Sequence, residues 1–506
     1  MKQEYRKECQ YMRITNGMMI SNTLANISRN KTKMDTLNTQ LSTEKKIQRP
    51  SEDPIVAIRA LRFRSTLSEI DQYLERNIPD ADAWLSTADS ALGNIVKLFG
   101  DITTYCNQAI NGYYDSDDKR TIVETLKAYR SQIFSDANTD YAGRTIFTGF
   151  KTDTNLTYTK EMPEESFEIT QKLDSTVFDN IRKINNSVDI EGITVTNVGT
   201  FDVASLEAPG YTDAYRVRLA YDGINPGSTG TIEYYNLDED GNKVDVNTVT
   251  AIEKSVNDAD AYLPGDDEVY FIPETGEYIF GKNVYSEVAE YDEFEVTYSK
   301  TGFDEDELNP IHYFDCKDLN TGLEYTYDEQ IIEYEVSFNQ TIEINVQGSK
   351  VFNHDMARDL DDVINAANTV SDVENKINQL TFMQGNVEEG SDEYNNLQVL
   401  IDNCNRELDF AKDELTARFS SALSLYQDHM NTVSLARADV GAREIRLQLT
   451  SDRLSNQRTT VKALKSTNEE VDVTEIAVEF AEAESIYDAS LAAAGKVVKN
   501  KLIDFI

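Results

Sequence analysis

The stretch Arg49-Pro50-Ser51-Glu52-Asp53-Pro54, RPSEDP, decides how this chain of 506 residues is read. Pro50 pushes Arg49 out of the α region, so a helix arriving from upstream must stop there. Asp53 followed by Pro54 is a start signal: the acid accepts orphan N–H groups, and proline at the first helical position has none to satisfy. RPSEDP is therefore a corner between two helices. Upstream, Ile20, Ile27, Met34 and Leu41 recur every seven residues with Leu24 and Leu37 between them, a seam that seeks another helix. Downstream, an apolar stripe keeps its phase from Ala60 through Phe63, Leu67, Ile70, Leu74, Ile78, Ala81, Trp84, Ala88, Leu92, Ile95, Phe99 and Ile102 to Ala109. That predicts a helix over Pro54–Asn111 of about 55 residues, roughly 80 Å long at 1.5 Å per residue, kinked but not stopped by Pro79.

After Asn111-Gly112 and the acidic turn Asp115–Asp118, a third helix is expected from about Lys119 to Ala137. Between residues 151 and 350 the apolar period becomes two: Ile332, Tyr334, Val336 and Phe338 alternate with polar residues, as do Ile342, Ile344 and Val346, and Phe294, Val296 and Tyr298. Asp240-Gly241 and Thr275-Gly276 supply hairpin turns. Helix returns after Phe352. Phe419, Tyr426, Val433, Val440, Leu447, Leu454 and Val461 form an unbroken seven-residue series, while the companion positions Ala436, Arg443, Thr450 and Gln457 are small or polar. Such a narrow stripe fits docking within a bundle better than a two-stranded zipper. Asp472-Val473-Thr474-Glu475 reads as a capping box, and a last helix follows with Ile476, Phe480, Ala483, Tyr487, Leu491, Ala494, Val498, Leu502 and Phe505 on one face.

The fold class is thus mainly α with an inserted antiparallel β domain. The order is terminal helices (12–49 with 472–506), helical bundle (50–150 with 351–471) and an acidic β-rich insertion (151–350). Residues 1–11 are a polar leader or follow from a misplaced start codon. The two terminal helices should pair, and an amphipathic pair of this length buries too little surface to be firmly ordered alone. They require neighbours.

Charge is unevenly placed. Of the net −42, residues 12–150 contribute 0, residues 151–350 contribute −30 and residues 351–506 contribute −13. Nucleic acid and anionic membranes would be repelled, and the acidic middle reads as a solvated outer surface. Cys9, Cys106, Cys316 and Cys404 have no CxxC spacing, which gives neither a zinc site nor a disulfide framework. There is no run of about 18 apolar residues to span a membrane, and Met1–Tyr11 has no apolar core of a cleaved signal peptide.

Candidate chemistry is sparse. Asn236, Asp238, Asp240 and Gly241 mimic the first half of a calcium loop, but Asn247 stands where a bidentate Glu is needed, so a hairpin turn is the reading preferred. His312, His354 and His429 lack any paired-ligand spacing; His354 beside Asp355 reads as the start of a helix. Gly223–Gly230 lacks the lysine of a phosphate loop. The tyrosine-rich strands at Tyr234-Tyr235 and Glu324–Tyr327 read as aromatic edges of a solvated sheet, with glycan contact as the alternative. No catalytic, metal or cofactor site is expected.

Four pieces then carry a resemblance: Met12-Arg13-Ile14-Thr15, LSTEKKIQRPSEDP (Leu41–Pro54), GRTIFTGFKTD (Gly143–Asp153) and the end Lys501–Ile506. In this order they resemble the hook–filament junction proteins of the bacterial flagellum, the FlgL or hook-associated protein 3 family, relatives of flagellin. The resemblance covers residues 12–153 and 351–506 and leaves the middle unmatched. It implies a layered, flagellin-like architecture with the terminal helices in a coiled-coil inner tube, the bundle next and the β domain outermost. It implies a non-catalytic subunit, exported through the flagellar type III pathway without a cleaved signal, that contacts copies of itself, a hook-side junction protein, flagellin and an export chaperone. The residues that would carry subunit interaction are Ile20, Leu24, Ile27, Met34 and Leu41 on the first helix and Ile476, Phe480, Tyr487, Leu491, Val498 and Leu502 on the last. Filament flagellin, and a flagellar subunit whose insertion is an adhesin, are the alternatives.

Overall fold

The computed structural model describes residues 15–111, 116–228, 230–238, 241–258 and 260–503, and the side chains of all of these except Asn16 and residues 497–503. The leader, Met12–Ile14, Asp115, Asp240 and Phe505 lie outside the described residues, as do the side chains of Val498 and Leu502. The chain divides into two compact units: Met1–Pro79, Glu335–Gln340 and Gln448–Ile506 in one, Asp80–Tyr334 and Thr341–Leu447 in the other.

Helix α1 (Asn16–Thr43) is capped by Thr15 and ends in a left-handed Glu44, with φ of 57°. Helix α2 (Pro54–Gln72) begins at the corner. The expected unbroken helix to Asn111 is corrected here: Tyr73–Asn77 form a π-helical turn, and α3 (Ile78–Ile110) follows. The cause is Pro79, which has no N–H for the Glu75 carbonyl and whose ring crowds it; the chain widens the preceding turn, with Ile78 N–H donating to Tyr73 O. Helix α4 (Ser116–Ala137) starts earlier than the expected Lys119 because Ser116, Asp117 and Asp118 suit a helical first turn.

Strands β1 (Asp140–Tyr141) and β2 (Arg144–Thr145) form a small hairpin before residue 151. The larger sheets use β3 (Met162–Asp174), β4 (Asp179–Asn185), β5 (Gly210–Arg218), β6 (Thr231–Leu237), β7 (Lys243–Thr250), β8 (Ile252–Glu253), β9 (Val269–Ile272) and β10 (Glu277–Phe280). After the short α5 (Lys282–Val288) come β11 (Glu293–Phe303), β12 (Asp315–Asp318), β13 (Glu324–Tyr325), β14 (Glu333–Ser337) and β15 (Gln340–Glu343). One sheet has the order β13-β12-β3-β11-β6-β7 and another β4-β5-β10-β9-β8, with β14 and β15 paired separately. The register is antiparallel except between β8 and β9.

The period-two reading explains the β core. Phe294, Val296 and Tyr298 of β11 are buried with Phe167 and Ile169 of β3 and with Phe271 and Tyr278 of the other sheet. Two expectations need correction. Tyr234 and Tyr235 are interior rather than solvated, because Glu287 and Glu293 accept hydrogen bonds from their hydroxyls at 2.9 and 3.2 Å and make burial tolerable. Phe338 does not continue the buried alternation of Val336; it stands exposed beside Asn339, a left-handed residue with φ of 54°, where the strand turns back. The hairpin at Thr275-Gly276 is well specified: Gly276 has φ of 63°, and a Cβ there would lie 2.1 Å from Tyr221 O.

Helix α6 (Asp355–Gln384) and the long α7 (Asp392–Glu469) follow. Phe419, Tyr426, Val433, Val440 and Leu447 are all buried in their unit, and Phe99 meets Tyr426 edge-on at 5.3 Å between centroids. The β region is fastened to these helices within the same unit. Val188, Ile193 and Val198 pack on Leu380, Leu397, Leu400 and Ile401, while Arg216 of β5 reaches Asp362 of α6 at 2.6 Å and Glu277 at 2.7 Å. Burial alone would raise the Glu277 carboxyl, but the charges of Arg216, Lys183 and Arg358 hold it down at about 2.

Candidate assembly surface

In the first unit, Asp53 and Pro54 start α2 as their residues predict, but the expected helix to Arg49 is corrected: α1 has already ended at Thr43, where Glu44 turns left-handed. Asp53 Oδ1 accepts from Ile55 N–H and Val56 N–H at 2.9 and 3.1 Å, with Pro54 at the first helical position. Glu52 N–H closes a turn on Arg49 O at 3.0 Å around Pro50, and Gln48 N–H donates to the Glu52 carboxylate at 2.8 Å. A second corner, between α7 and α8 (Val473–Ile503), uses the same device: Asp472 Oδ1 accepts from Thr474 N–H and Glu475 N–H at 2.9 and 3.2 Å.

The two corners clasp each other. Lys46 N–H donates to Glu469 O at 2.8 Å and Val471 N–H to Glu44 O at 3.2 Å, so Lys45 and Glu470 face each other as an antiparallel bridge. Arg64 of α2 grips Glu469 with two bonds, Nε at 3.0 Å and Nη2 at 2.6 Å, and Lys45 Nζ lies 3.8 Å from the same carboxylate. Glu469 is 5 % exposed. The bond from Arg64, reinforced by its charge, holds the Glu469 carboxyl below its ordinary range. Asn468 Nδ2 donates to Val56 O at 3.0 Å, and Arg458 reaches Asp71 and Glu75 at 2.6 Å each, which ties α7 to α2. Sequence reading missed the clasp because Arg64 and Glu469 are 405 positions apart and share no local motif.

From this clasp α1 and α8 run as an antiparallel pair, since Lys45 meets Glu470 at one end and Asn30 Nδ2 donates to Ser490 Oγ at 2.8 Å further along. The pairing is thin. Leu37 (4 % exposed) and Ala483 (5 %) are buried, whereas Ile20, Ile27, Met34 and Leu41 on α1 and Ile476, Phe480 and Tyr487 on α8 are only half-buried. Leu24 at 60 % and Leu491 at 45 % face outward, together with Val478 at 57 % and Ile486 at 54 %. Exposed Ile55, Ile58 and Leu61 continue an apolar stripe along α2. Apolar side chains thus stay uncovered along both terminal helices among the described residues.

The other candidate residues are held by the fold. His312 is buried against Thr154 Oγ1 at 3.1 Å, and burial, aided by the Lys151 charge, lowers it to about 4. His354 precedes α6 among the rings of Tyr221, Tyr313 and Phe314 and is lowered to about 3 by burial and then by Arg358. His429 bonds Asp359 at 3.0 Å. Asp238 accepts from Asn242 N–H at 2.7 Å in the β6–β7 hairpin. Among the described residues, no group of three His, Cys, Asp or Glu side chains is placed to hold a metal ion, and no helix is long and apolar enough to cross a membrane.

Comparison with known proteins converges on these ends. The bacterial flagellin N-terminal helical region matches residues 14–152, and the bacterial flagellin C-terminal helical region matches residues 423–506. The flagellar hook-associated protein 3 of Salmonella typhimurium is 31 % identical over 144 residues, 28 % of this chain and 45 % of that protein. Its Escherichia coli counterpart is 30 % identical over 145 residues, with the same shares. The chain therefore spans about half the length of the curated relatives it matches. Among solved structures, the flagellar junction protein FlgL of Legionella pneumophila aligns with 82 % of this chain and all of its own at 13 % identity and a TM-score of 0.28. FlgL of Xanthomonas campestris aligns with 80 % of this chain and 99 % of its own at 13 % identity and a TM-score of 0.26.

Proposed function

We propose, from two helical ends that match the bacterial flagellin N- and C-terminal helical regions, that this chain is a non-catalytic structural subunit of the bacterial flagellum that joins hook to filament. The observation that carries the reading is the thin α1–α8 pair, whose outward Leu24, Val478 and Ile486 remain uncovered within one chain. Copies of the chain would cover these faces, because heterologous contacts between identical subunits propagate into rings and tubes. Ile20, Leu24, Ile27, Met34 and Leu41 with Ile476, Phe480, Tyr487, Leu491, Val498 and Leu502 are then the subunit-interaction residues. Seven of the eleven, Ile20, Ile27, Met34, Leu41, Ile476, Phe480 and Tyr487, are half-buried in the single chain.

The axial partners are a hook-side junction protein on one side and flagellin on the other, with an export chaperone before assembly. The site of action is outside the cell, reached by the flagellar type III route. Filament flagellin is the rival with the same chemistry, and the names of the curated relatives favour the junction. Deletion of the gene tests the reading: hooks without filaments, and flagellin shed into the medium, are expected. Normal filaments on the deletion strain would overturn it, and thousands of copies per flagellum would transfer the chain to the filament.

A further inference from the structure

A cavity of about 600 Å³ in the second unit lies over the sheet face that carries Arg216 of β5 and Glu277 of β10, with α6 and α7 as its other walls. Five of its lining side chains are basic, and four of them are already paired. Arg182 reaches Asp213 at 3.3 Å, Arg216 reaches Glu277 at 2.7 Å, Arg358 reaches Asp222 at 3.3 Å and Arg418 reaches Glu414 at 2.5 Å. Lys183 of β4 is different. Among the described residues no carboxylate pairs with its Nζ and no hydrogen bond engages it; Nζ stands 4.1 Å from the centre of the Tyr262 ring, which lines the same cavity.

Lys183 is half-buried, so its amine can be reached from the cavity and is yet largely withdrawn from water. Burial lowers its pKa from the ordinary lysine value, and the charges of Arg216 and Arg418 push the same way, against Glu277 and Asp362. Glu277 does not depend on Lys183 to stay ionised, because Arg216 is the stronger of the charges that hold it down. A lysine in this setting keeps a larger share of free amine near neutral pH than a solvated one. The free amine is the nucleophile in condensation with a carbonyl group.

We propose that Lys183 is a covalent modification site, a nucleophilic amine that condenses with small uncharged aldehydes entering the cavity. Nζ forms a bond to the carbonyl carbon while one nitrogen proton passes to the carbonyl oxygen. The second nitrogen proton is lost as that oxygen leaves as water, so the products are an imine and one water, with no oxidant or reductant required. The uncharged class follows from the pairing of the other basic side chains: Arg182, Arg216, Arg358 and Arg418 leave no spare cation to hold an anionic substituent. The site lies wholly within the second unit and is independent of the assembly reading.

The test is labelling of the full chain near neutral pH with butanal and cyanoborohydride, which reduces each imine to a stable secondary amine, followed over time by peptide mass mapping. Lys183 should be modified about tenfold or more faster than the exposed Lys33 and Lys97, tenfold being the gain in free amine for each unit by which the pKa falls. Glyoxylate, an anionic aldehyde, should show no such preference. Butanal should lose it in the guanidinium-unfolded chain, where the cavity is gone. Equal rates at Lys183, Lys33 and Lys97 in the folded chain would overturn the proposal. So would the same preference with glyoxylate, or a preference that survives unfolding.

Discussion

Replacing Arg64 with Met should loosen the clasp between the two corners without disturbing either helix cap. Arg64 makes two bonds to Glu469, at 3.0 and 2.6 Å, while its own side chain is 56 % exposed and that of Glu469 is 5 % exposed. A wholly buried pair broken on one side costs about 3–5 kcal/mol and an exposed one about 0–1 kcal/mol. Water reaches Arg64, and Lys45 remains 3.8 Å from the carboxylate, so the cost falls between, at about 1–2 kcal/mol. Two backbone amides report the clasp directly, because Lys46 N–H and Val471 N–H bond across it. Their hydrogen exchange should accelerate roughly 5- to 30-fold in Arg64→Met, the factor that corresponds to 1–2 kcal/mol. The pH dependence has a fixed sign. Glu469 is held below the ordinary value of 4.5, so its contribution is fully present above that value and is lost as pH falls through the lowered folded value. The difference between wild type and Arg64→Met should therefore shrink as the solution is acidified below about pH 4.5. Unchanged exchange at Lys46 and Val471, or a difference that does not shrink on acidification, would refute the reasoning.

Arg216→Met takes from buried Glu277 its paired cation, while Asp362 keeps Arg218 at 3.3 Å, and should destabilise the second unit by about 3 kcal/mol, read in urea by near-ultraviolet circular dichroism. Gly276→Ala meets both a positive φ and Tyr221 O at 2.1 Å and should cost about 2–3 kcal/mol in the same assay; a neutral result would contradict the hairpin geometry. Truncation of Glu475–Ile506 removes most of α8 and no strand, so incorporation into flagella should be lost while the β signal of the purified chain is kept.

Much of this fold was legible because helices and strands write their burial into short periods. The seven-residue series from Phe419 to Leu447 is buried residue by residue, and Asp53-Pro54 start α2 through groups that act within three positions, whereas α1 ends at Thr43 in a left-handed Glu44, earlier than the stop at Arg49 that Pro50 predicts. What stayed hidden depends on distance or on compensation. The stripe on both sides of Pro79 keeps its phase, yet a π turn absorbs the proline, and no periodicity records which turn yields. Tyr234 and Tyr235 look solvated in an acidic strand, but Glu287 and Glu293 bring their carboxylates to the hydroxyls from far along the chain. The candidate surface was partly readable as a seam. The clasp beside it was not, because Lys45 and Glu470 stand 425 positions apart and share no local motif.

The terminal faces can be interrogated most directly with Leu24→Asp combined with Ile486→Asp. Both side chains are exposed in the single chain, so the purified variant should unfold within about 0.5 kcal/mol of wild type. Introduced into the deletion strain at normal expression, it should fail to enter flagella and leave hooks bare. Wild-type incorporation of a variant carrying these two charges would contradict the claim that copies of this chain complete one another along α1 and α8.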